Sequence, residues 1–383
     1  MDFNALLKLM THKRASDLFI TADMPPTLKV DGKLAPIIPN PLTPEQVKEV
    51  VYSIMNNEHR EEFERTHECN FAISPTNIGR FRVNVFQQRN HIGMVTRRIE
   101  TRIPSLDELG MPQVLKEVAM TKRGLIIFVG GTGSGKSSSL AAMIGYRNQN
   151  SSGHIITIED PIEFIHQHAG CIITQREVGV DTASYEMALK NTLRQAPDVI
   201  LIGEIRSKET MEHAIVFAET GHLCLSTLHA NSANQALDRI INFFSEDRRQ
   251  QLLLDLSLNL RAIIAQRLIP RRDGQGRQVA VEVLINSPLV ADLLLKGEVP
   301  GLKEVMRRSA EEGMKTFDQS IYDLYREDII SEAEALHYAD SINDVRLMIK
   351  RGKQSKVANL EDMPFRPLET SARLNTMNKK ISE

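Results

Sequence analysis

LIIFVGGTGSGKSSSL, residues Leu125–Leu140, is the stretch of sequence that decides the fold of this chain. It opens with the apolar run Leu125–Val129, which predicts a buried strand. The residues after this run, Gly130–Ser137, match the pattern G-x-x-x-x-G-K-[ST] at every fixed position. The segment SSSLAAMI then predicts the helix that this motif requires. The stretch therefore predicts a phosphate-binding loop between a strand and a helix of an α/β protein.

The predicted loop offers the chemical groups that bind a nucleoside triphosphate together with Mg²⁺. Its glycines let several backbone N–H groups point toward one spot, and the start of the helix adds the positive end of its dipole. The Lys136 ammonium and the Ser137 hydroxyl complete the set, with Ser137 as a ligand of the metal. The candidate nucleotide-binding residues of this stretch are Gly130, Gly131, Thr132, Gly133, Ser134, Gly135, Lys136, Ser137 and Ser138.

Length and composition bound the remaining possibilities. A chain of 383 residues exceeds the size at which one core stops growing, so we expect two or more domains. Its 42% hydrophobic and 25% charged residues are typical of a globular protein, and its net charge of -2 gives no general argument for binding nucleic acid or an anionic membrane. The three cysteines are far apart, which excludes a disulfide framework and a CxxC zinc site.

Membrane and export signals are weak in this sequence. No apolar run approaches the roughly 20 residues that a membrane-spanning helix needs. The N-terminal segment MDFNALLKLMTHKR has no apolar core and no cleavage site of a signal peptide. We therefore expect a cytoplasmic protein unless a partner brings it to a membrane.

The first hundred residues predict a small α+β domain of mixed order. An apolar stripe predicts a helix over residues 3–13, Asp31-Gly32 predicts a hairpin, and Thr43 with Gln46 predicts a capping box at the start of another helix. Ser105 with Glu108 predicts a second capping box, for a helix leading to Lys122. The strand-like runs are residues 17–21, 27–30, 33–37, 69–73, 79–87 and 92–99.

The last two strands of this domain carry several arginines and few acids, namely Arg80, Arg82, Arg89, Arg97 and Arg98. Such arginines can simply cover a solvated face of a sheet. They can also be aimed at phosphate held by another domain, because the planar guanidinium binds phosphate through two hydrogen bonds. The residue pattern alone leaves both interpretations open.

After the phosphate-binding loop, predicted strands and helices alternate as in a parallel α/β sheet. The strand Ile155–Ile158 is followed by three acids, of which Glu159 and Glu163 are candidate site residues at the edge where such sheets bind ligands. The strand Val199–Ile202 is followed by Gly203-Glu204, so Glu204 stands where a P-loop enzyme keeps its Walker B acid, although glycine replaces the usual aspartate.

A third strand, Leu223–Leu228, is flanked by His222 and His229. We expect both histidines to lie beside the nucleotide, where an imidazole could sense the γ-phosphate, while the alternative is a structural role for each. A zinc site does not fit, because neither a thiolate nor a third histidine lies at ligand spacing.

The motifs GGTGSGKSSSLAAMI, ITIEDPIEFIH, REVGVDT, LKNTLRQAPDVILIGEIR and AETGHLCLSTLHANSA together resemble the Walker A, Asp box, Walker B and His box of the type II/IV secretion ATPase superfamily. Within it the chain is most similar to the pilus retraction branch, the PilT/PilU family, on its PilU side. The resemblance implies a PAS-like N-terminal domain (1–100), a linker (101–115), a RecA-like P-loop ATPase core with C-terminal helices (116–350) and a disordered tail (351–383).

The resemblance also implies a role for each site residue. Lys136 would hold the β- and γ-phosphates of ATP, and Ser137 would ligate Mg²⁺. Glu163 would polarise the attacking water, and Glu204 would stand by Mg²⁺, directly or through water, as the Walker B acid. The remaining implied roles are γ-phosphate sensing by His229 and contact with phosphate across the domain gap by Arg82 and Arg97.

As a member of this family the chain would form a homo-hexamer in which the PAS-like domain of one subunit packs on the ATPase core of the next. ATP hydrolysis would then drive pilin subunits out of a type IV pilus. The implied partners are a PilT-type retraction ATPase and an inner-membrane pilus platform protein, PilC-like, at the cytoplasmic side of that membrane, with no nucleic acid. One departure is Pro288–Lys296, PLVADLLLK, which stands where PilT carries AIRNLIRE and favours the PilU side.

Two other functions stay open on the sequence. A RecA-like nucleic-acid translocase would carry basic, aromatic-flanked loops, but this chain has no tryptophan and no concentrated basic patch in its core. An accessory ring that binds ATP, hydrolyses it weakly and stabilises a PilT motor is the other. The complete acidic set argues against an inactive enzyme, while the altered segment at residues 288–296 leaves dependence on a partner open.

Overall fold

A computed structural model describes residues 2–30, 32–99 and 102–361. The strands in this part of the chain are β1 (Asp17–Thr21), β2 (Thr27–Val30), β3 (Lys33–Pro36), β4 (Glu68–Ile73), β5 (Phe81–Gln88), β6 (His91–Arg98), β7 (Gly124–Val129), β8 (Gly153–Glu159), β9 (Cys171–Glu177), β10 (Val199–Ile202), β11 (Leu223–Leu228), β12 (Leu260–Pro270) and β13 (Arg277–Ile285). The helices are α1 (Phe3–His12), α2 (Pro44–Ile54), α3 (Asn57–Thr66), α4 (Val114–Ala119), α5 (Lys136–Asn150), α6 (Tyr185–Thr192), α7 (Lys208–Glu219), α8 (Ala233–Asn242), α9 (Glu246–Asn259), α10 (Pro288–Lys296), α11 (Leu302–Arg308), α12 (Phe317–Arg326), α13 (Glu332–Tyr338) and α14 (Ile342–Glu361).

The first sheet is antiparallel and has the strand order β3-β2-β1-β6-β5-β4. The predicted hairpin is confirmed, because β2 and β3 pair with Val30 opposite Lys33. The predicted capping box is confirmed as well, since the Thr43 side chain accepts a hydrogen bond from the Gln46 backbone while the Gln46 side chain binds the Thr43 N–H. This sheet has its own core of apolar residues, which α1 closes with its buried stripe.

The second sheet has the strand order β13-β12-β7-β11-β10-β8-β9 and is parallel except for β13. Strand β7, which leads into the phosphate-binding loop, lies near its middle and is buried along its whole length. Its side chains alternate between two cores, with Ile127 in one and Phe128 in the other. Apolar layers therefore cover both faces, as a parallel sheet requires.

The segment between the two sheets differs from the sequence-based prediction. Ser105 and Glu108 do exchange the hydrogen bonds of a capping box, but the residues after them form turns, and α4 begins only at Val114. Gly110 has a left-handed φ of +68°, and Pro112 lacks a backbone N–H. The prediction of one helix from this box to Lys122 is therefore wrong.

The C-terminal part packs on the second sheet and ends in a long helix. Helix α14 continues to Glu361, past residue 350, after which the resemblance implies a disordered tail. The rest of that segment, residues 362–383, lies outside the described residues. Within residues 2–30, 32–99 and 102–361, no helix is both long and apolar enough to cross a bilayer.

Candidate functional site

The candidate site is a pocket of about 250 Å³ at the carboxyl ends of β7, β8, β10 and β11. This edge is where open parallel sheets bind ligands, because the loops that leave the strands converge there. The predicted site residues that line the pocket are Thr132, Gly133, Lys136, Ser137, Glu159, Glu163, Glu204 and His229. Residues about 100 positions apart in sequence are thus brought to one place by the topology of the sheet.

The phosphate-binding loop has the backbone conformation that its glycines predict. Gly130 has a φ of +157° and Gly135 a φ of +91°, in the region that favours glycine. A Cβ on Gly130 would lie 2.8 Å from the carbonyl oxygen of Gln266 on β12, so a side chain cannot be added there without moving that strand. On its other side the loop, through Gly131 and Ser134, lines a second, more open cavity.

Lys136 is the first residue of α5 and is nearly buried. Its Nζ donates hydrogen bonds to the carbonyl oxygens of Gly130 (2.8 Å) and Gly131 (2.9 Å). Burial lowers the pKa of Lys136, while the carboxylates of Glu204 and Glu163 oppose that shift. The ammonium is therefore held at the loop between backbone carbonyls and acids. Its positive charge would stabilise a phosphate bound there.

Glu204 is contacted by Arg206 on one side and by His229 on the other. Its Oε2 accepts a hydrogen bond from Arg206 Nε at 2.7 Å, and its Oε1 lies 3.3 Å from His229 Nε2. Arg206 also reaches Asp160, with 3.5 Å between Nη1 and Oδ2. The end of β10 is tied to β11 because Thr227 Oγ1 donates to the Gly203 carbonyl at 2.7 Å. These contacts hold Glu204 in place at the end of β10, in the pocket that Lys136 also lines.

Close packing explains why glycine precedes Glu204. A Cβ on Gly203 would lie 2.8 Å from the Tyr185 hydroxyl, 3.1 Å from the Glu159 Cα and 3.2 Å from the Ile158 carbonyl oxygen. Two of these neighbours are backbone atoms and cannot swing away. An aspartate in this slot would therefore have to push β8 aside, so Glu204 alone offers a carboxylate at the end of β10.

Glu159 stands at the end of β8 in a desolvated position. Its Oε1 accepts hydrogen bonds from Thr157 Oγ1 (2.7 Å) and Gln175 Nε2 (3.3 Å). Burial raises the pKa of Glu159 to about 7, despite these two bonds. Glu159 is consequently suited to carry a proton near neutral pH, and a carboxylic acid in that state can donate as well as accept a hydrogen bond.

Three predicted site residues from outside the phosphate-binding loop, His222, Arg82 and Arg97, do not line the pocket. Strand β11 separates His222 from His229, and at about 3.3 Å per residue its length puts His222 roughly 20 Å away, at the amino end of the sheet. There His222 Nδ1 contacts Thr220 Oγ1 at 3.0 Å. The prediction that both histidines lie beside one site is wrong, since only the residue after a parallel strand reaches the ligand edge.

Arg82 and Arg97 lie on the first sheet, opposite each other on β5 and β6. Neither is among the residues that line the pocket. Arg97 Nε binds Asp17 Oδ1 at 2.8 Å, and 70% of the Arg97 side chain is nevertheless exposed. Both arginines thus lie outside the site of their own subunit, and the remaining candidate, Ser138, lies in the first turn of α5.

The structure adds polar lining residues that were not candidate site residues in the sequence, namely Asp160, His166, Tyr185, Arg206 and Thr227, of which Asp160 is one of the three acids noted after the strand Ile155–Ile158. Burial lowers the pKa of His166 to about 4, so this imidazole is neutral at physiological pH. For Arg206 a signal existed, because it follows Glu204 by two residues in a loop at the carboxyl end of a strand. Tyr185 starts a helix far along the chain, and its place in the pocket depends on the tertiary fold.

The side chains of the pocket would supply only part of the coordination shell of Mg²⁺. In the part of the chain that the structure describes, no group of three or more His, Cys, Asp or Glu side chains could hold a metal ion. Ser137 and Glu204 line the same pocket and would supply two oxygen ligands. Mg²⁺ is usually bound in just this manner, by one or two side chains with the other positions taken by phosphate and water.

The chain is similar to known proteins over most of its length. A family model described as "Type II/IV secretion system protein" matches residues 2–346. The chain is 63% identical to "Type IV pilus ATPase PilU" of Pseudomonas aeruginosa, over 95% of this chain and 95% of that protein. It is 39% identical to "Type IV pilus retractation ATPase PilT" of the same species, over 88% of this chain and 97% of that protein.

A solved structure is similar as well. The crystal structure of the pilus retraction motor PilT with bound ADP has a TM-score of 0.84 to this chain and 38% sequence identity. The match covers 90% of this chain and 98% of the PilT chain. Both the first sheet and the second therefore have counterparts in a protein that holds an adenine nucleotide.

Proposed function

This chain belongs to the type II/IV secretion system protein family, and we propose that it is a PilU-like ATP-hydrolysing motor that assists the retraction of type IV pili. The sequence-based resemblance to the PilT/PilU branch and the α/β fold class are confirmed by the comparisons. One observation carries the mechanism: Lys136, Glu163 and Glu204, from the segments that follow three separate strands, line a single pocket.

Each site residue has a part in phosphoryl transfer to water. Backbone N–H groups of the P-loop and the Lys136 ammonium neutralise the β- and γ-phosphates. Glu163 orients a water molecule and accepts its proton as oxygen attacks the γ-phosphorus. The bond between that phosphorus and the bridging oxygen then breaks, and ADP leaves with the electron pair. Mg²⁺, when bound by Ser137 and Glu204 together with the phosphates, would spread the developing charge.

His229 lies close enough to Glu204 to exchange a proton or a hydrogen bond with it, at 3.3 Å. From this position it would report the γ-phosphate to the Walker B acid. Glu159 is neutral or ionised depending on pH near 7, which makes it a partner for the water or for Glu163 rather than a permanent metal ligand.

Arg82 and Arg97 complete the site from a neighbouring subunit in this proposal. Their location on the first sheet, away from their own pocket, supports an action across an interface. We therefore infer a homo-hexamer in which residues 1–100 form a PAS-like domain that packs on the ATPase core, residues 116–350, of the next chain. A PilT-type ATPase and a PilC-like platform protein at the cytoplasmic side of the inner membrane would be its partners.

An accessory ring with weak hydrolysis of its own is the second candidate, and α10 favours it. This helix stands in the place of the AIRNLIRE segment and exposes Leu289 and Leu295, by 55% and 47%. A surface of that kind is suited to contact with another protein.

Turnover of ATP by the purified full-length chain separates these candidates. The motor hypothesis predicts steady hydrolysis without a partner, and the accessory hypothesis predicts hydrolysis that rises when PilT is added. Single-stranded DNA should change neither rate. A chain that fails to hydrolyse ATP alone and with PilT would contradict both candidates.

A further inference from the structure

The loop that carries Glu163 joins β8 to β9 and lies against the side chains of β9, the edge strand of the second sheet. Three backbone groups of this loop are bound by those side chains, and they belong to alternate residues: the Ile162 N–H, the Phe164 carbonyl and the His166 N–H. Glu163 lies between the bound Ile162 N–H and the bound Phe164 carbonyl, and its side chain lines the pocket.

Gln175 supplies most of these bonds with one planar group. Its Oε1 accepts from the His166 N–H at 2.8 Å, and its Nε2 donates to the Phe164 carbonyl at 2.9 Å. The same Nε2 lies 3.3 Å from Glu159 Oε1. An amide offers both a donor and an acceptor, so no other side chain of this size can make all these contacts.

Glu177 holds the other end of the loop. Its Oε2 accepts a hydrogen bond from the Ile162 N–H at 3.3 Å, and only 2% of the residue is exposed. Gln175 and Glu177 are two residues apart on β9, so their side chains leave the same face of the strand. Ile162, which Glu177 binds, is itself buried. Glu163 is thus fixed between one anchored residue on each side.

We propose that Gln175 and Glu177 are positioning residues that set the place of Glu163 over the nucleotide. This inference rests on the proposed function, in which Glu163 orients the attacking water. Neither residue is among those that line the pocket, and both act through the loop. A displacement of about 1 Å at a catalytic group can cost on the order of a hundredfold in rate, so the anchors govern turnover even at a distance from the chemistry.

The first test is Gln175→Ala in the full-length protein, assayed for ATP hydrolysis and for binding of a fluorescent ATP analogue. We expect kcat to fall at least tenfold while KM and the dissociation constant stay within about twofold, because the P-loop and Lys136 are untouched. Ile172→Ala is the matched control: its side chain is exposed at the far end of the same strand, on the other face. Unchanged kcat in Gln175→Ala would overturn the proposal.

The second test uses Glu177, where a conservative variant is available. Glu177→Gln keeps an oxygen that can accept from the Ile162 N–H and should restore most of the turnover that Glu177→Ala loses. Equal turnover in the two variants would contradict an anchoring role for this hydrogen bond. Thermal unfolding of each variant identifies any that fail to fold. If Glu177→Ala does not fold, the comparison of Gln175→Ala with Ile172→Ala decides whether β9 positions the loop.

Glu163→Gln, alone and combined with Gln175→Ala, distinguishes failure of this inference from failure of the proposed function. If Gln175 acts through Glu163, the double variant loses no more turnover than Glu163→Gln alone. Full additivity of the two losses would overturn the positioning role. Wild-type turnover in Glu163→Gln would instead mean that the proposed role of Glu163 is wrong, whatever Gln175→Ala does.

Discussion

Glu159 and Glu163 are four residues apart and line the same pocket, yet Glu163 is exposed while Glu159 is partly covered. Glu159 lies at the end of a strand against Thr157 and Gln175, and its pKa is raised to about 7 because the charged form is desolvated. Two carboxyls whose environments differ in this way can serve different ends in one site. The protonation of Glu159 can moreover be read from stability without any activity assay.

We predict that Glu159→Gln changes the pH dependence of stability. The folded protein keeps the Glu159 proton up to about pH 7, while the unfolded chain loses it near its ordinary pKa, so the free energy of unfolding falls as pH rises between these values. The slope is about 1.4 kcal/mol per pH unit where only the folded state is protonated. Urea unfolding between pH 5 and 8 should show that the free energy of unfolding of the variant rises relative to that of the wild type as pH increases, with most of the change between pH 5 and 7. Parallel profiles would contradict a raised pKa.

Lys136→Ala tests the phosphate-binding loop directly. Removal of the ammonium leaves the β- and γ-phosphates without their nearest protein charge, so we expect ATP turnover to fall by at least a hundredfold. The fold should survive, because Lys136 Nζ binds only two loop carbonyls that face the pocket. Lys190→Ala, on the exposed side of α6, is the control. Hydrolysis at the wild-type rate in Lys136→Ala would show that ATP binds elsewhere.

Elements that depend on local patterns were predictable from the sequence. The strand, loop and helix around Gly130–Ser137 require only neighbours in the chain, as do the hairpin at Val30–Lys33 and the capping box at Thr43. The capping box at Ser105 is also real, but the turn at Gly110 and Pro112 interrupts the chain before a helix can form. A local signal thus predicts a local contact, and whether a helix continues from it depends on the next residues.

Contacts between distant elements were not predictable in the same way. Glu177 lies in the motif REVGVDT and Gln175 directly precedes it, but the motif did not reveal their role, because their partners are backbone groups of a loop that folds back on β9. Tyr185 enters the pocket from a helix whose position depends on packing. His222 is a different case, because strand direction alone would have excluded it: it precedes β11, and only residues that follow a parallel strand reach the site.

The separation of the two histidines along β11 leads to a prediction about their variants. His229→Ala should reduce kcat with little change in the unfolding temperature, because the imidazole is 40% exposed and contacts Glu204 in the pocket. Any loss of turnover in His222→Ala should come with a lower unfolding temperature, because its partners belong to the end of α7 and the turn after it. Calorimetry beside an ATPase assay checks both. A catalytic defect in His222→Ala with unchanged stability would contradict the separation.

The two sheets of the molecule meet near the strand that anchors the Glu163 loop. Arg80, just before β5, places its Nη2 3.9 Å from Glu177 Oε2, and this carboxylate is the one that binds the Ile162 N–H. Arg80, which leads into the first sheet, therefore contacts the residue that anchors the Glu163 loop, while Arg82 and Arg97 do not line the pocket. A movement of the first sheet would therefore shift the Glu163 loop of the same chain. In the proposed ring it would also move Arg82 and Arg97 relative to the nucleotide bound by the next chain.

Mixed rings test the action of Arg82 and Arg97 across a subunit interface. The double variant Arg82→Ala/Arg97→Ala should bind ATP almost normally and lose up to about 10³ in turnover, because such arginines stabilise charge in the transition state. Glu163→Gln subunits should be inactive for a different reason. In a mixture of the two, an arginine-deficient subunit keeps its own Glu163 and can receive arginines from a Glu163→Gln neighbour, so activity should return. Asp17→Asn, which releases the partner of Arg97 Nε, controls for damage to the first sheet. Mixtures no more active than their separate components, at concentrations where light scattering shows mixed hexamers, would exclude arginines that act in trans.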